Sequence, residues 1–160
     1  MDLSLIFNKE AILVDFEANS KNECLQSLAE LLYQMGIVSS DKEFLQSVLA
    51  REEQSTTGVG QQIAIPHGKS QAVKKTSCII VKVKDAIDWD SLDKKPVKLI
   101  FLLAIEEKDQ NDTHLKILST LAGQLIDEAF VSKLLDSTTK EEIYDALILN
   151  EQAEIEEQFI

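Results

Sequence analysis

Residues that could do chemistry are concentrated in one stretch, Arg51–Ser70, with the sequence REEQSTTGVGQQIAIPHGKS. It holds the chain's sole arginine, one of its two histidines, one of its two prolines and three of its five glycines. An imidazole with an ordinary pKa of about 6.5 is largely neutral near neutral pH, so one ring nitrogen of His67 can attack phosphorus. Pro66 restricts the chain before it, and Gly68 lets backbone approach closely after it. Arg51 is the best local counter-charge, because its planar fork suits bidentate contact with phosphoryl oxygens. Ser55, Thr56, Thr57 and the backbone at Gly68 are candidates to solvate incoming oxygens. The chemistry these types support is phosphoryl acceptance and donation through His67.

Plainer readings compete with each assignment. A lone histidine is more often structural than catalytic, and glycines often make only a turn. An arginine at a helix C-terminus can simply oppose the helix dipole. Glu52 and Glu53 would repel a phosphoryl group, so they are expected to be solvated or paired with Arg51. Gly68-Lys69-Ser70 has the ending of a nucleotide-binding loop, but that motif needs glycine where Ile63 stands. A metal site from His67, His114, Asp109 and Asp112, and with it a metal-dependent hydrolase, ranks low because the last three lack ligand spacing. The reading therefore calls for no metal and no cofactor.

At 160 residues with 44% hydrophobic content, the chain fits one domain with a proper core. Its net charge of -12 argues against nucleic acid and anionic membranes as partners. Neither a signal peptide nor an apolar run of about 20 residues is evident. Cys24 and Cys78 lack metal spacing and read as reduced, buried thiols, so a cytoplasmic protein without direct membrane insertion is expected.

The elements that must position the stretch can be read on either side of it. AILVDFE (11–17) reads as a strand. Ser20 with Glu23, and Ser40 with Glu43, are capping boxes opening two helices. The first carries Leu25, Leu28, Ala29, Leu32 and Met35 and ends at Gly36; the second carries Phe44, Val48 and Leu49 and stops near Arg51–Gln54. The IAI before Pro66 reads as a short strand. SCIIVKVK (77–84) and VKLIFLLAI (97–105) follow, the latter apolar enough for a central strand covered on both sides. Trp89 anchors the connection between them. After a charged loop at Glu106–Asp112, a helix from Thr113 carries His114 and a buried stripe of Leu115, Leu118, Leu121, Ala122 and Leu125. Segment 128–136 and a capped helix bearing Ile143, Ala146 and Leu147 complete the chain. The order β-α-α-β-β-β-α-α predicts an α/β single domain, a mixed β-sheet flanked by α-helices on both faces.

The run REEQSTTGVGQQIAIPHGK resembles the phosphorylation-site signature of enzyme IIA domains of the bacterial phosphoenolpyruvate-dependent sugar phosphotransferase system (PTS), fructose-mannitol class. DWDSLDKKPVKLIFLLA and HLKILSTLAGQL sit in the expected order, so the likeness covers nearly the whole chain. IDWDSLDKKPV is more fructose-like than mannitol-like, while a nitrogen-regulatory branch shares much of the pattern. Two departures stand out: Gln62 where a small residue is expected, and Lys94–Lys95 in place of an Asp-Gly-type turn. The resemblance implies a PTS IIA type-2 domain over 1–150, with 151–160 an acidic tail or the start of a linker. It implies that His67 takes a phosphoryl group at Nε2 from the phosphocarrier HPr and passes it to an enzyme IIB cysteine, in the same chain or another, upstream of a membrane enzyme IIC. His114 matches the family's second histidine and Arg51 its site arginine. Phosphocarrier docking would use apolar residues near His67, with Val59, Ile63 and Ile65 as candidates.

Overall fold

The computed structural model describes residue 7, residues 9–108 and residues 113–158. Its organising element is the strand the sequence marks as central. That strand, β6 (Val97–Glu106), is paired on both edges and buried on both faces. The other strands are β1 (Ile12–Phe16), β2 (Gly58–Gly60), β3 (Ile63–Ala64), β4 (His67–Ser70) and β5 (Ser77–Ile87). They form one mixed sheet in the order β1-β5-β6-β3-β2, with β4 also paired to β6. β1 runs parallel to β5, β5 antiparallel to β6, and both β3 and β4 parallel to β6.

Period-two alternation along β6 divides the interior into two cores. Leu99, Phe101, Leu103 and Ile105 pack on the face covered by α3 (Thr113–Gln124), α4 (Glu128–Asp136) and α5 (Lys140–Gln158). Ile100, Leu102 and Ala104 pack on the opposite face, against α1 (Lys21–Gln34) and α2 (Asp41–Gln54). The mixed sheet with helices on both faces is thus the observed architecture. No helix among the described residues is long and apolar enough to cross a membrane.

The serine caps read locally are present, whereas Met35 lies past α1 at its C-cap and is 41% exposed. Ser20 and Ser40 each accept from the backbone N–H three residues on, Glu23 at 3.1 Å and Glu43 at 3.2 Å. Thr139 does the same for Glu142 at 3.1 Å. Each such cap contributes about 1 kcal/mol. Gly36 follows α1 with φ +77, a left-handed conformation that favours glycine. Helix α5 continues to Gln158, through most of the acidic segment.

Three expectations need correction. β2 and β4 are strands the local pattern does not announce, since GVG and HGKS lack apolar alternation; their partners make them strands. The buried residues of α3 are Ile117, Leu121 and Gln124, continued by Leu125 just past its end, with Leu118 half-buried, whereas Leu115 is 54% exposed and Ala122 is exposed. Apolar residues occupy more than one side of that helix, and the sheet selects the phase that starts at Ile117. Finally, Glu106 ends β6 rather than opening the loop, and residues 109–112 lie outside the described residues.

Candidate functional site

β3 and β4 lie end to end along one edge of β6. Ile63 and Ala64 pair with Leu99 and Ile100, and after an interruption His67 resumes the pairing opposite Leu103. The interruption is Ile65-Pro66, where proline supplies no N–H for the ladder. Its carbonyl still accepts from Leu103 N–H at 3.0 Å, and Ile65 N–H turns to the Thr57 carbonyl at 2.9 Å. His67 therefore stands at the restart of a broken strand, not in a flexible loop.

The break also fixes the histidine's tautomer. His67 Nδ1 lies 3.0 Å from the Ile65 carbonyl oxygen. A carbonyl can only accept, so the neutral ring carries its proton on Nδ1 and leaves the lone pair on Nε2. The pKa of His67 is lowered from the ordinary 6.5, chiefly because burial disfavours the charged ring. The Ile65 hydrogen bond opposes that shift; the charges of Arg51 and His114 add to it, and that of Glu52 opposes it. A neutral imidazole with an unprotonated Nε2 is the nucleophilic form.

Arg51 comes from the last turn of α2 and His114 from the first turn of α3, and both act electrostatically on His67. Residues from two helices thus bear electrostatically on a ring carried by a strand. Arg51 is half-buried, and its Nη1 donates to the Ser55 carbonyl at 2.8 Å and to Ser55 Oγ at 3.4 Å. A fork anchored through one nitrogen has further donors for an anion.

The remaining phosphate-contact candidates separate. Ser55 is exposed beside Arg51. Thr56 is half-buried; its hydroxyl donates to the Trp89 carbonyl at 3.1 Å and accepts from Gly58 N–H at 3.1 Å. Thr57 is only 3% exposed, its hydroxyl donating to Glu52 and accepting from Trp89 Nε1–H at 3.1 Å. This hydroxyl is engaged in holding the fold, so its placement argues against phosphate contact. Gly68 is buried because α2 crosses directly over it. A Cβ there would meet Ser47 Oγ at 2.2 Å and Val48 Cγ2 at 2.9 Å. Its glycine is a close-approach requirement between β4 and α2.

Glu52 departs from expectation most clearly. It is neither solvated nor paired with Arg51. Its carboxylate is nearly buried, 2.6 Å from Lys21 Nζ, and also accepts from the Thr57 hydroxyl and N–H. Lys21 Nζ in turn sits 5.4 Å from the centroid of the fully buried Trp89 ring. Sequence reasoning missed this cluster, although Trp89, the chain's sole tryptophan, and Lys21, at the start of α1, were available signals. Of the apolar docking candidates, Ile63 and Ile65 belong to the core and Val59 is 46% exposed. Gln62 and Lys94 both adopt positive φ, +66 and +63, which explains why small or glycine-type residues suit those turns. Asp109 and Asp112, weighed as metal ligands, lie outside the described residues.

Comparison with known proteins bears on what such an arrangement is used for. The family described as "Phosphoenolpyruvate-dependent sugar phosphotransferase system, EIIA 2" matches residues 5–150. The chain is 35% identical over 146 residues to a PTS system fructose-specific EIIA component of Haloferax volcanii, covering 91% of this chain and 94% of that one. It is 32% identical over 148 residues to a nitrogen regulatory protein of Klebsiella oxytoca, covering 92% and 90%. Among solved structures, nitrogen regulatory protein IIA-Ntr from Neisseria meningitidis superposes with a TM-score of 0.82 at 30% identity, covering 91% of this chain and 98% of that one. The chain spans only 22% of a longer relative, the 2-O-alpha-mannosyl-D-glycerate-specific EIIABC component of Escherichia coli, at 30% identity and 92% of its own length.

Proposed function

Because the chain belongs to the EIIA 2 family of the phosphoenolpyruvate-dependent sugar phosphotransferase system, whose members are phosphotransferases, we propose that it carries a phosphoryl group on Nε2 of His67. The observation that supports this most strongly is the Nδ1–H hydrogen bond to Ile65, which leaves Nε2 as the ring's lone-pair nitrogen. In this reading Nε2 attacks the phosphorus of phospho-HPr, the bond to the carrier's histidine breaks, and a phosphohistidine forms here. The group then leaves to the thiolate of an enzyme IIB cysteine, restoring the neutral ring. Such an exchange rests mainly on positioning and charge stabilisation. Arg51 supplies one cation to the phosphoryl oxygens, and His114 orients the ring or donates to the oxygens. A single arginine stabilises the transferring group without trapping it. The site would work in the cytoplasm, ahead of a membrane enzyme IIC, and the fructose-like run around Trp89 favours fructose-type sugars.

A nitrogen-regulatory role is the second reading, favoured by the likeness to IIA-Ntr over 98% of that structure. There the two phosphorylation states would bind different proteins and no sugar would move. The experiment that separates them adds phosphoenolpyruvate, enzyme I and HPr, and then an enzyme IIB domain. Sugar-transport function predicts a gain of one acid-labile phosphoryl group that chases onto the IIB cysteine. Acceptance without any chase onto IIB proteins, fructose-type included, would favour regulation.

A further inference from the structure

The buried cluster behind Arg51 has no part in the reading above, yet Glu52 and Trp89 both touch the segment on which Arg51 rests, and Lys21 contacts both of them. Arg51 is anchored on the Ser55 carbonyl. Two residues on, Thr57 is clamped by Glu52 through its hydroxyl and its N–H, 3.3 Å for the latter, and by Trp89 Nε1–H. Glu52 is held in turn by Lys21 at 2.6 Å, so α1, α2 and the β5–β6 connection all converge on the turn between α2 and β2. A carboxylate whose side chain is only 6% exposed is costly to desolvate and is retained where its partners compensate.

We propose that Glu52 is a positioning residue for the phosphoryl site, fixing the turn 55–57 so that the Arg51 guanidinium is held toward His67. The proposal rests on the reading that His67 is the phosphoryl acceptor. Glu52 and Arg51 are adjacent in sequence but do different work: one faces inward and ties the turn, the other uses that turn as its seat. Glu52 also places a negative charge within reach of His67, opposing the effects of Arg51 and His114 on the same ring. An arginine free to wander by an ångström would lose much of its value to the transferring group.

Because Arg51 is the sole arginine, its guanidinium gives one NMR signal that reports on the unphosphorylated protein. In Glu52→Gln we expect that signal to shift and its N–H protons to exchange faster with water. Phosphoryl acceptance from phospho-HPr should fall by on the order of tenfold to a hundredfold. In an Arg51→Ala background the same substitution should change the rate by less than about twofold, because its effect runs through Arg51. If Glu52→Gln fails to fold, Thr57→Val, which removes one clamp while keeping the shape, should show the same pattern. An unmoved guanidinium signal, or an equal loss with and without Arg51, overturns the proposal. If the wild-type protein accepts no phosphoryl group, the reading of His67 falls, while the guanidinium comparison still decides whether Glu52 seats Arg51.

Discussion

The ring of His67 and the carbonyl of Ile65, two residues earlier, are joined by a 3.0 Å hydrogen bond across the Ile65-Pro66 break in the strand. One local irregularity thereby does two things. It exposes a backbone carbonyl to the ring, and through that contact it decides which nitrogen is nucleophilic.

The pH dependence follows from burial. Because the folded protein holds the His67 pKa below 6.5, the neutral ring persists to lower pH than in a free peptide. Phosphoryl acceptance should be flat near neutral pH and decline only below that depressed pKa. An NMR titration of the His67 Cε1–H should give a midpoint under 6.5; a midpoint at or above it would show that burial does not dominate. The linkage sign is that of a depressed pKa. The unfolded chain binds the proton first, so stability is full above the unfolded pKa and is lost as pH falls toward the folded one. His67→Gln should remove that part of the acid sensitivity, measurable by urea unfolding at several pH values.

Replacing Arg51 by Ala should leave the fold intact and slow both acceptance and donation by about a hundredfold, the scale for losing a preorganised charge donor. Arg51→Lys should recover only part, since an ammonium lacks the planar fork. Rapid-quench transfer rates measure this, and unchanged rates in Arg51→Ala would leave the arginine a purely structural role at the end of α2.

For His114→Ala, acceptance should persist at a rate reduced by between about tenfold and a hundredfold. Identical kinetics would remove the second histidine from the site; complete loss of labelling would mean that it is more than an orienting partner.

Gly68→Ala tests the packing that seats β4 under α2. The added Cβ falls 2.2 Å from Ser47 Oγ and 3.1 Å from the backbone N of Val48. Overpacking of this kind costs about 1–3 kcal/mol, to be read as a lower melting temperature. Adding Ser47→Ala should recover part of the loss, because the Val48 contacts remain. An unchanged melting temperature in Gly68→Ala would show that α2 can withdraw freely.

What was legible in the sequence follows from where its physics is local. The capping boxes at Ser20 and Ser40 are four-residue hydrogen-bond devices, and the serine half of each is present. The apolar run at Val97–Ile105 needs two covered faces wherever it sits, and β6 has them. His67, Arg51 and His114 were identifiable because their types are rare in the chain and match a recognisable pattern, and the charges of the last two act on the His67 ring. Non-local choices were hidden. HGKS is a strand only because β6 offers an edge. The phase of α3 depends on which of two apolar sides meets the sheet, and the placement of Glu52 depends on Lys21 and Trp89, each more than thirty positions away. The surroundings of Thr57 and Gly68 were hidden for the same reason: their chemistry is visible in the sequence, but the Glu52 carboxylate on Thr57 and the Ser47 and Val48 atoms over Gly68 are not.

The most direct test of the central claim is the site of attachment itself. Protein labelled with ¹⁵N at histidine, phosphorylated by phosphoenolpyruvate, enzyme I and HPr, should show phosphorus-nitrogen coupling at Nε2 of His67 and at no other ring nitrogen. Nδ1 should retain its proton, and His67→Ala should take up no phosphoryl group. Coupling at Nδ1 of His67, or on His114, would contradict the account.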